Sequence, residues 1–128
     1  MYLITNLINL KKIFISSDHA GFSLKERIKL HLIKKKITYQ DLGPKNNIGI
    51  LVCGSGMGMN IAANKHKNIR AAQCFNLKST KLSRLHNDAN IITLGSRLLT
   101  KKNALSCVGV FLNTNFEGGR HSKRIKKI

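Results

Sequence analysis

The chain has no tryptophan, one proline, two tyrosines and only five acidic residues among 128. The shortage of aromatics removes the stacking platforms on which single-stranded nucleic acid is usually held. No uninterrupted run of about 18 apolar residues occurs, which argues against a membrane span. Cys53, Cys74 and Cys107 are odd in number and widely spaced. They fit neither a disulfide framework nor a Cys/His zinc site, and a reducing cytoplasm suits them best. With 23 basic residues the net charge is +18. Many cations could release counterions from nucleic acid or a membrane surface. The lysines, however, are scattered (Lys25, Lys29, Lys45, Lys65, Lys78) as well as clustered. A generally basic surface is the simpler reading, and the same field would steer a small anionic substrate.

The length points to one domain, and 42% hydrophobic residues can build a core. Met1 to Leu10 is apolar and is followed by Lys11 and Lys12. That order is the reverse of a signal peptide, so residues 1–11 read as an N-terminal extension and 12–128 as the domain. Short apolar runs at Lys12 to Ser16, Ile37 to Leu42, Ile48 to Cys53, Arg70 to Cys74 and Asn90 to Leu94 predict strands. Gly43-Pro44 stops the second. Helical spacing runs over Phe22 to Lys35, Met59 to Lys67, Lys78 to Leu85 and Lys101 to Phe111, and the C-terminus from Arg120 is helical or loose. The alternation predicts an α/β fold with a parallel sheet, whose ligand sits at the carboxyl ends of the strands.

Five polar segments hold most of the useful chemistry: Ser17-Asp18-His19-Ala20-Gly21, Cys53-Gly54-Ser55-Gly56-Met57-Gly58, Arg84-Leu85-His86-Asn87-Asp88-Ala89-Asn90, Gly95-Ser96-Arg97 and Glu117-Gly118-Gly119-Arg120-His121. Cys53 ends a strand and opens a glycine loop before a helix, a setting that favours thiolate and suits a base acting on a carbon-bound proton. The other reading is an inert strand-end cysteine, which Cys74 and Cys107 fit better. Gly54, Gly56 and Gly58 allow backbone N–H groups to approach an oxyanion or phosphate, although such a loop also makes an ordinary turn. It is neither a dinucleotide fingerprint nor a P-loop. Ser55 could bond a substrate oxygen or tighten that turn. Asp18 could bind sugar hydroxyls and His19 a phosphate, and Asp18 could equally cap a helix. His86 can move a proton in sugar ring opening, or merely compensate a helix end. Asn87 could hold an enediolate. Arg97, Arg120 and Arg124 could bind phosphate through paired N–H groups. His31 and His66 read as solvated.

Together these segments closely resemble the ribose-5-phosphate isomerase B family, which includes the galactose-6-phosphate isomerase subunits. The resemblance runs from about Lys12 to the end. It rests on Asp-His-Ala-Gly, Cys-Gly-x-Gly-x-Gly, Ile-Ala-Ala-Asn-Lys, Leu-Ser-Arg-x-His-Asn-Asp, Leu-Gly-Ser-Arg and Gly-Gly-Arg-His-x-x-Arg. It implies a Rossmann-like three-layer fold and aldose–ketose isomerisation of a sugar phosphate such as ribose 5-phosphate through a cis-enediolate. It implies no metal or cofactor, and a homodimer with shared active sites. By the same resemblance Cys53 is the base, His86 opens the ring with Asp18 nearby, and Asn87 and the Gly54 to Gly58 loop steady the enediolate. His19, Arg120 and Arg124 bind the phosphate. Ser55 stands where threonine is commoner.

The family has an Asp-Tyr-Pro segment and a full helix between its second and third strands, and this chain has only Gly43 to Asn47 there. Five residues reach at most about 18 Å. The return along a full strand is about 17 Å, with a sideways step of about 9–10 Å. The second strand is therefore expected to shift, pair antiparallel or be lost, and one sheet face to be uncovered. Two functions follow: an isomerase with a reduced fold, or a decayed, non-catalytic relative that binds anions or nucleic acid. Within the first, the sequence leaves the sugar open, galactose 6-phosphate included.

Overall fold

The computed structural model describes residues 13–40 and 48–128. The N-terminal extension and the Gly43-Pro44 stop lie outside them. In chain order the elements are β1 (Ile13–Ser17), α1 (Phe22–Lys34), β2 (Tyr39–Gln40), β3 (Ile48–Cys53), α2 (Met57–Ala63), β4 (Ala71–Gln73), α3 (Leu77–Asn87), β5 (Ile91–Gly95), α4 (Lys101–Asn113) and α5 (Arg120–Ile125). The strands form one sheet in the order β2-β1-β3-β5-β4. Every pairing is parallel, which is the α/β arrangement read from the alternation and the Rossmann-like fold that the resemblance implies.

The strands are apolar throughout because both faces are covered. One face packs Ile13, Ile15, Ile48, Ile50, Val52, Ile92 and Leu94 against Leu24, Ile28 and Leu32 of α1 and Ala104, Cys107, Val108 and Phe111 of α4. The three helix α1 residues recur every four positions, as one buried helical stripe must. Cys74 and Cys107 are buried in this core, as expected, and burial pushes the Cys74 thiol up. The opposite face carries a smaller cluster, Leu51 and Ile91 with Ala63 of α2, flanked by Met59, Ile69 and Ala71.

Two expectations about this second face are corrected. The second strand is neither lost nor antiparallel: β2 pairs parallel with β1, Tyr39 standing opposite Ile13 and Gln40 opposite Phe14. The described part of the strand is two residues, Tyr39 and Gln40. Ile48 also stands opposite Ile13, on the other side of β1. β2 and β3 thus flank β1 about 10 Å apart, a gap that a stretch of seven residues, which can reach about 25 Å, is long enough to span. Nor is the face uncovered, since Phe14, Leu51, Ile91 and Thr93 are all buried.

Helix ends follow local side-chain chemistry that hydrophobic spacing does not report. α2 begins at Met57 and stops at Ala63, earlier than the expected Lys67. Asn64 ends it by bonding Ala71 twice, its amide nitrogen donating to the Ala71 carbonyl and its oxygen accepting from the Ala71 N–H. α3 starts on a capping box between Asn76 and Ser79, a reciprocal pair that satisfies two orphan donors. It ends at Asp88 in the left-handed conformation, φ 42°.

The turn from α3 into β5 is locked by Arg84. Its side chain is 4% exposed. The guanidinium donates to the carbonyls of Ala89 and Thr114 and to Asp88 Oδ1, and lies over the Phe111 ring. Arg70 grips the same turn through the Asp88 carbonyl and Oδ2. Replacing Arg84 strands two carbonyls and leaves the Asp88 carboxylate to Arg70 alone. Arg84→Met is expected to cost about 3 kcal/mol, measured by urea denaturation. A loss below about 1 kcal/mol would show that the turn holds without it.

Candidate active site

The register of the sheet brings three strand ends together. Cys53 pairs with Gly95, and Ser17 pairs with Val52. The loops that leave these ends enclose a cleft of about 410 Å³ lined by Asp18, His19, Ala20, Cys53, Gly54, Ser55, Gly58, Arg97 and Leu98. Seven of the twelve site residues read from the sequence thus line one cleft, at the carboxyl edge where a parallel sheet places its ligand.

The loops are bonded to one another as well as to their strands. The Asp18 N–H donates to the Val52 carbonyl, and Asp18 Oδ1 accepts from the Gly21 N–H at 2.9 Å. Asp18 therefore closes the turn before α1 rather than capping the helix, and its side chain remains exposed. Ser96 Oγ donates to the Ala20 carbonyl at 2.9 Å. The N–H groups of Ser96 and Arg97 donate to the carbonyls of Cys53 and Gly54. Gln73, from β4, donates to the Ser55 carbonyl at 2.6 Å. Sequence reading passed over Gln73, because an amide on a short strand gives no signal until the sheet order sets it beside the glycine loop.

Cys53 is 7% exposed, and the Gly56 N–H donates to its Sγ at 3.0 Å. This donor points at the atom that carries negative charge once the thiol gives up its proton. Gly56 can aim it because its φ is 80°, a conformation that disfavours side chains. A Cβ there would also stand 3.0 Å from the Leu94 carbonyl carbon. Gly58 differs: it lies inside α2, and a Cβ on it would meet nothing within 4 Å. Ser55 Oγ accepts from the Met57 N–H at 3.2 Å, so this hydroxyl tightens the turn.

The remaining site residues gather elsewhere. His86 and Asn87 form the last turn of α3, before β5 begins at Ile91. They stand at the amino edge of the sheet, one strand length, about 16 Å, from the cleft. Arg124 of α5 donates to the His86 carbonyl at 2.8 Å and to Asn87 Oδ1 at 3.1 Å. Arg124, the weakest of the arginines by sequence, is thus tied to the histidine segment. Arg120 opens α5 and is exposed. His121 stacks on His86 with ring centroids 4.3 Å apart. Glu117 Oε2 lies 3.7 Å from His86 Nε2 and 3.5 Å from His121 Nε2. Burial, then the charges of His86, Arg124 and Arg120, push the His121 imidazole down. Glu117 and His121 carry no role that spacing reveals, because their meeting with His86 depends on how the C-terminal segment packs on α3. Of the other two histidines, His66 is exposed and His31 is half-buried, so the solvated reading holds fully only for His66.

The sequence profile described as Ribose/Galactose Isomerase matches residues 44–128. A probable ribose-5-phosphate isomerase B of Mycoplasma pneumoniae is 40% identical over 139 aligned positions, covering 91% of each chain. The chain belongs to the ribose/galactose isomerase family. The ribose-5-phosphate isomerase B of Escherichia coli is 36% identical, over 93% of this chain and 95% of its own. The 139 positions exceed this chain's length, so the Mycoplasma pneumoniae relative carries residues that this family member lacks. The fold agrees as well. The crystal structure of a ribose 5-phosphate isomerase from Thermotoga maritima superposes with a TM-score of 0.86 at 41% identity, covering 91% of this chain and 96% of that one. The Mycoplasma genitalium enzyme, solved with bound ribulose-5-phosphate, gives 0.86 at 38% identity, covering 91% and 92%.

The Gly56 geometry is directly testable. Gly56→Ala forces a side chain into a left-handed position against backbone, at an expected cost of about 1–3 kcal/mol. Thermal unfolding of the variant measures it; an unchanged melting temperature would show that the loop relaxes freely.

Proposed function

We propose that this chain is a ribose-5-phosphate isomerase, converting the aldose phosphate to ribulose 5-phosphate and back through an enediolate. The observation that carries this reading is the buried Cys53 thiol with an N–H aimed at its sulfur, in a cleft with a carboxylate, an imidazole and a guanidinium. As thiolate, Cys53 removes the C2 proton of the open-chain aldose. The electron pair moves to the carbonyl and gives the enediolate; the hydroxyl proton passes from O2 to O1, and the proton held by Cys53 returns to C1 to give the ketose. Asp18 binds the ring oxygens, and the loop from Gly54 to Gly58 holds the developing negative charge. His19 and Arg97 face the anionic substrate.

His86 opens the sugar ring, and Asn87 steadies the enediolate. Arg120 and Arg124 hold the phosphate. His86 and Asn87 stand about 16 Å from the Cys53 of their own chain, farther than one pentose phosphate reaches; Arg124 is bonded to them, and Arg120 opens the same helix. The working site is therefore composite, with His86, Asn87, Arg120 and Arg124 supplied by a second copy to the Cys53 cleft. A homodimer built this way has two such sites. Several large apolar side chains, among them Met57 and Ile61 on α2 and Leu98 beside the cleft, are exposed, as a contact surface between copies requires. No described helix is long and apolar enough to cross a membrane. The expected setting is cytoplasmic, within pentose phosphate metabolism.

The decayed-relative reading fits less well, because decay would not preserve the Cys53 donor and the full set of inter-loop bonds. Cys53→Ala is expected to lower turnover of ribose 5-phosphate by about a thousandfold or more, with substrate binding retained by calorimetry. Near-normal turnover would remove Cys53 as the base. Arg120→Ala is expected to raise KM through loss of a charge-assisted contact of about 1.5–3 kcal/mol. An unchanged KM in steady-state kinetics would place Arg120 outside the site.

A further inference from the structure

We propose that His86, Glu117 and His121 bind a divalent transition-metal ion, and that an ion held there blocks the enzyme. Their ligand atoms lie within 4.8 Å of one another. In a tetrahedral site with bonds of about 2.0–2.1 Å, neighbouring ligand atoms stand about 3.3–3.4 Å apart. The two carboxylate-to-imidazole distances, 3.5 and 3.7 Å, are already close to that. The two rings are nearly parallel, with an interplanar angle of 15°. They must tilt toward each other to share an ion, and His86, which is one-third exposed, has room to do so.

His121 supplies a second observation. It is 5% exposed, and its Nδ1 has no hydrogen-bond partner. Its Nε2 meets only the Glu117 carboxylate, at an ion-pair distance too long for a strong hydrogen bond. A buried polar ring so poorly served is unusual; a metal bond at Nε2 would replace the weak contact there and leave Nδ1 as it stands. Two imidazoles and one carboxylate suit borderline ions of the cobalt-to-zinc series and leave a position open for water. Arg124 and Arg120 add opposing charge nearby. The Arg124 guanidinium, however, is turned to the His86 carbonyl and Asn87, and Glu117 offsets part of that charge.

The blocking rests on the ring-opening role proposed for His86, since a ligated Nε2 cannot carry a proton; the binding itself does not. Cobalt(II) added to the metal-free full chain is the test, because its absorption reports its ligands. One ion per chain with visible bands and no thiolate charge-transfer band is expected. Affinity is expected to fall by about tenfold or more in Glu117→Gln and in His121→Gln. Glu117 is 59% exposed, so its variant stays informative if the buried His121 variant fails to fold. Unchanged affinity in Glu117→Gln, a thiolate band placing the ion on Cys53, or no binding would each overturn the site. Turnover should fall as the site fills and return on adding a chelator. Full turnover with the site spectroscopically filled would overturn the blocking and the role of His86 together.

Discussion

Everything at the carboxyl edge depends on the parallel register of β1, β3 and β5. That register sets Cys53 beside Gly95 and Val52 between Ser17 and Leu94. The three departing loops must then cross close to the sheet's own backbone. Glycine makes two of those crossings possible. A Cβ on Gly21 would stand 2.4 Å from the Val52 carbonyl oxygen, and one on Gly95 would stand 2.5 Å from that of Ser55. The same close approach lets Ser96, Arg97 and Gln73 bond the neighbouring loops. Cys53 receives its N–H donor because this frame holds Gly56 in its left-handed turn.

The sheet has a second consequence. A strand separates its two edges, so groups placed before β5 and groups placed after β3 cannot meet within one chain. His86 and Asn87 are fixed at the amino edge by the Arg84–Asp88–Arg70 lock and by Arg124. Cys53 is fixed at the other edge by pairing with β5. Both sets are rigidly placed, and neither has the means to cross the gap. On the proposed function, chemistry needing both is performed between copies, which makes association part of catalysis.

Much of this was legible beforehand. The apolar runs of β1, β3 and β5 and the four-residue spacing of Leu24, Ile28 and Leu32 gave the elements and the faces they bury. The strand-end positions of Asp18, Cys53 and Ser96 gave the cleft. Side-chain chemistry that acts across the fold was not legible. Asn64 ends α2 by bonding β4, and Gln73 reaches the glycine loop only once β4 takes its place beside β5. The fate of β2 was misread because a full-length strand was assumed. Tyr39 and Ile48 both stand opposite Ile13, so the gap to be spanned is mainly sideways. The cluster of Glu117 with His86 and His121 needed the packing of α5 on α3, which no spacing rule contains.

The composite site is the central claim, and mixing two disabled chains tests it most directly. Cys53→Ala and His86→Asn each lack one half of every site. Unfolded and refolded together in equal amounts, they should form mixed dimers in which one of two sites is whole, restoring about a quarter of wild-type turnover of ribose 5-phosphate. Activity no higher than that of the separate variants, from a mixture shown to contain mixed dimers, would contradict the account and return both residues to a single chain.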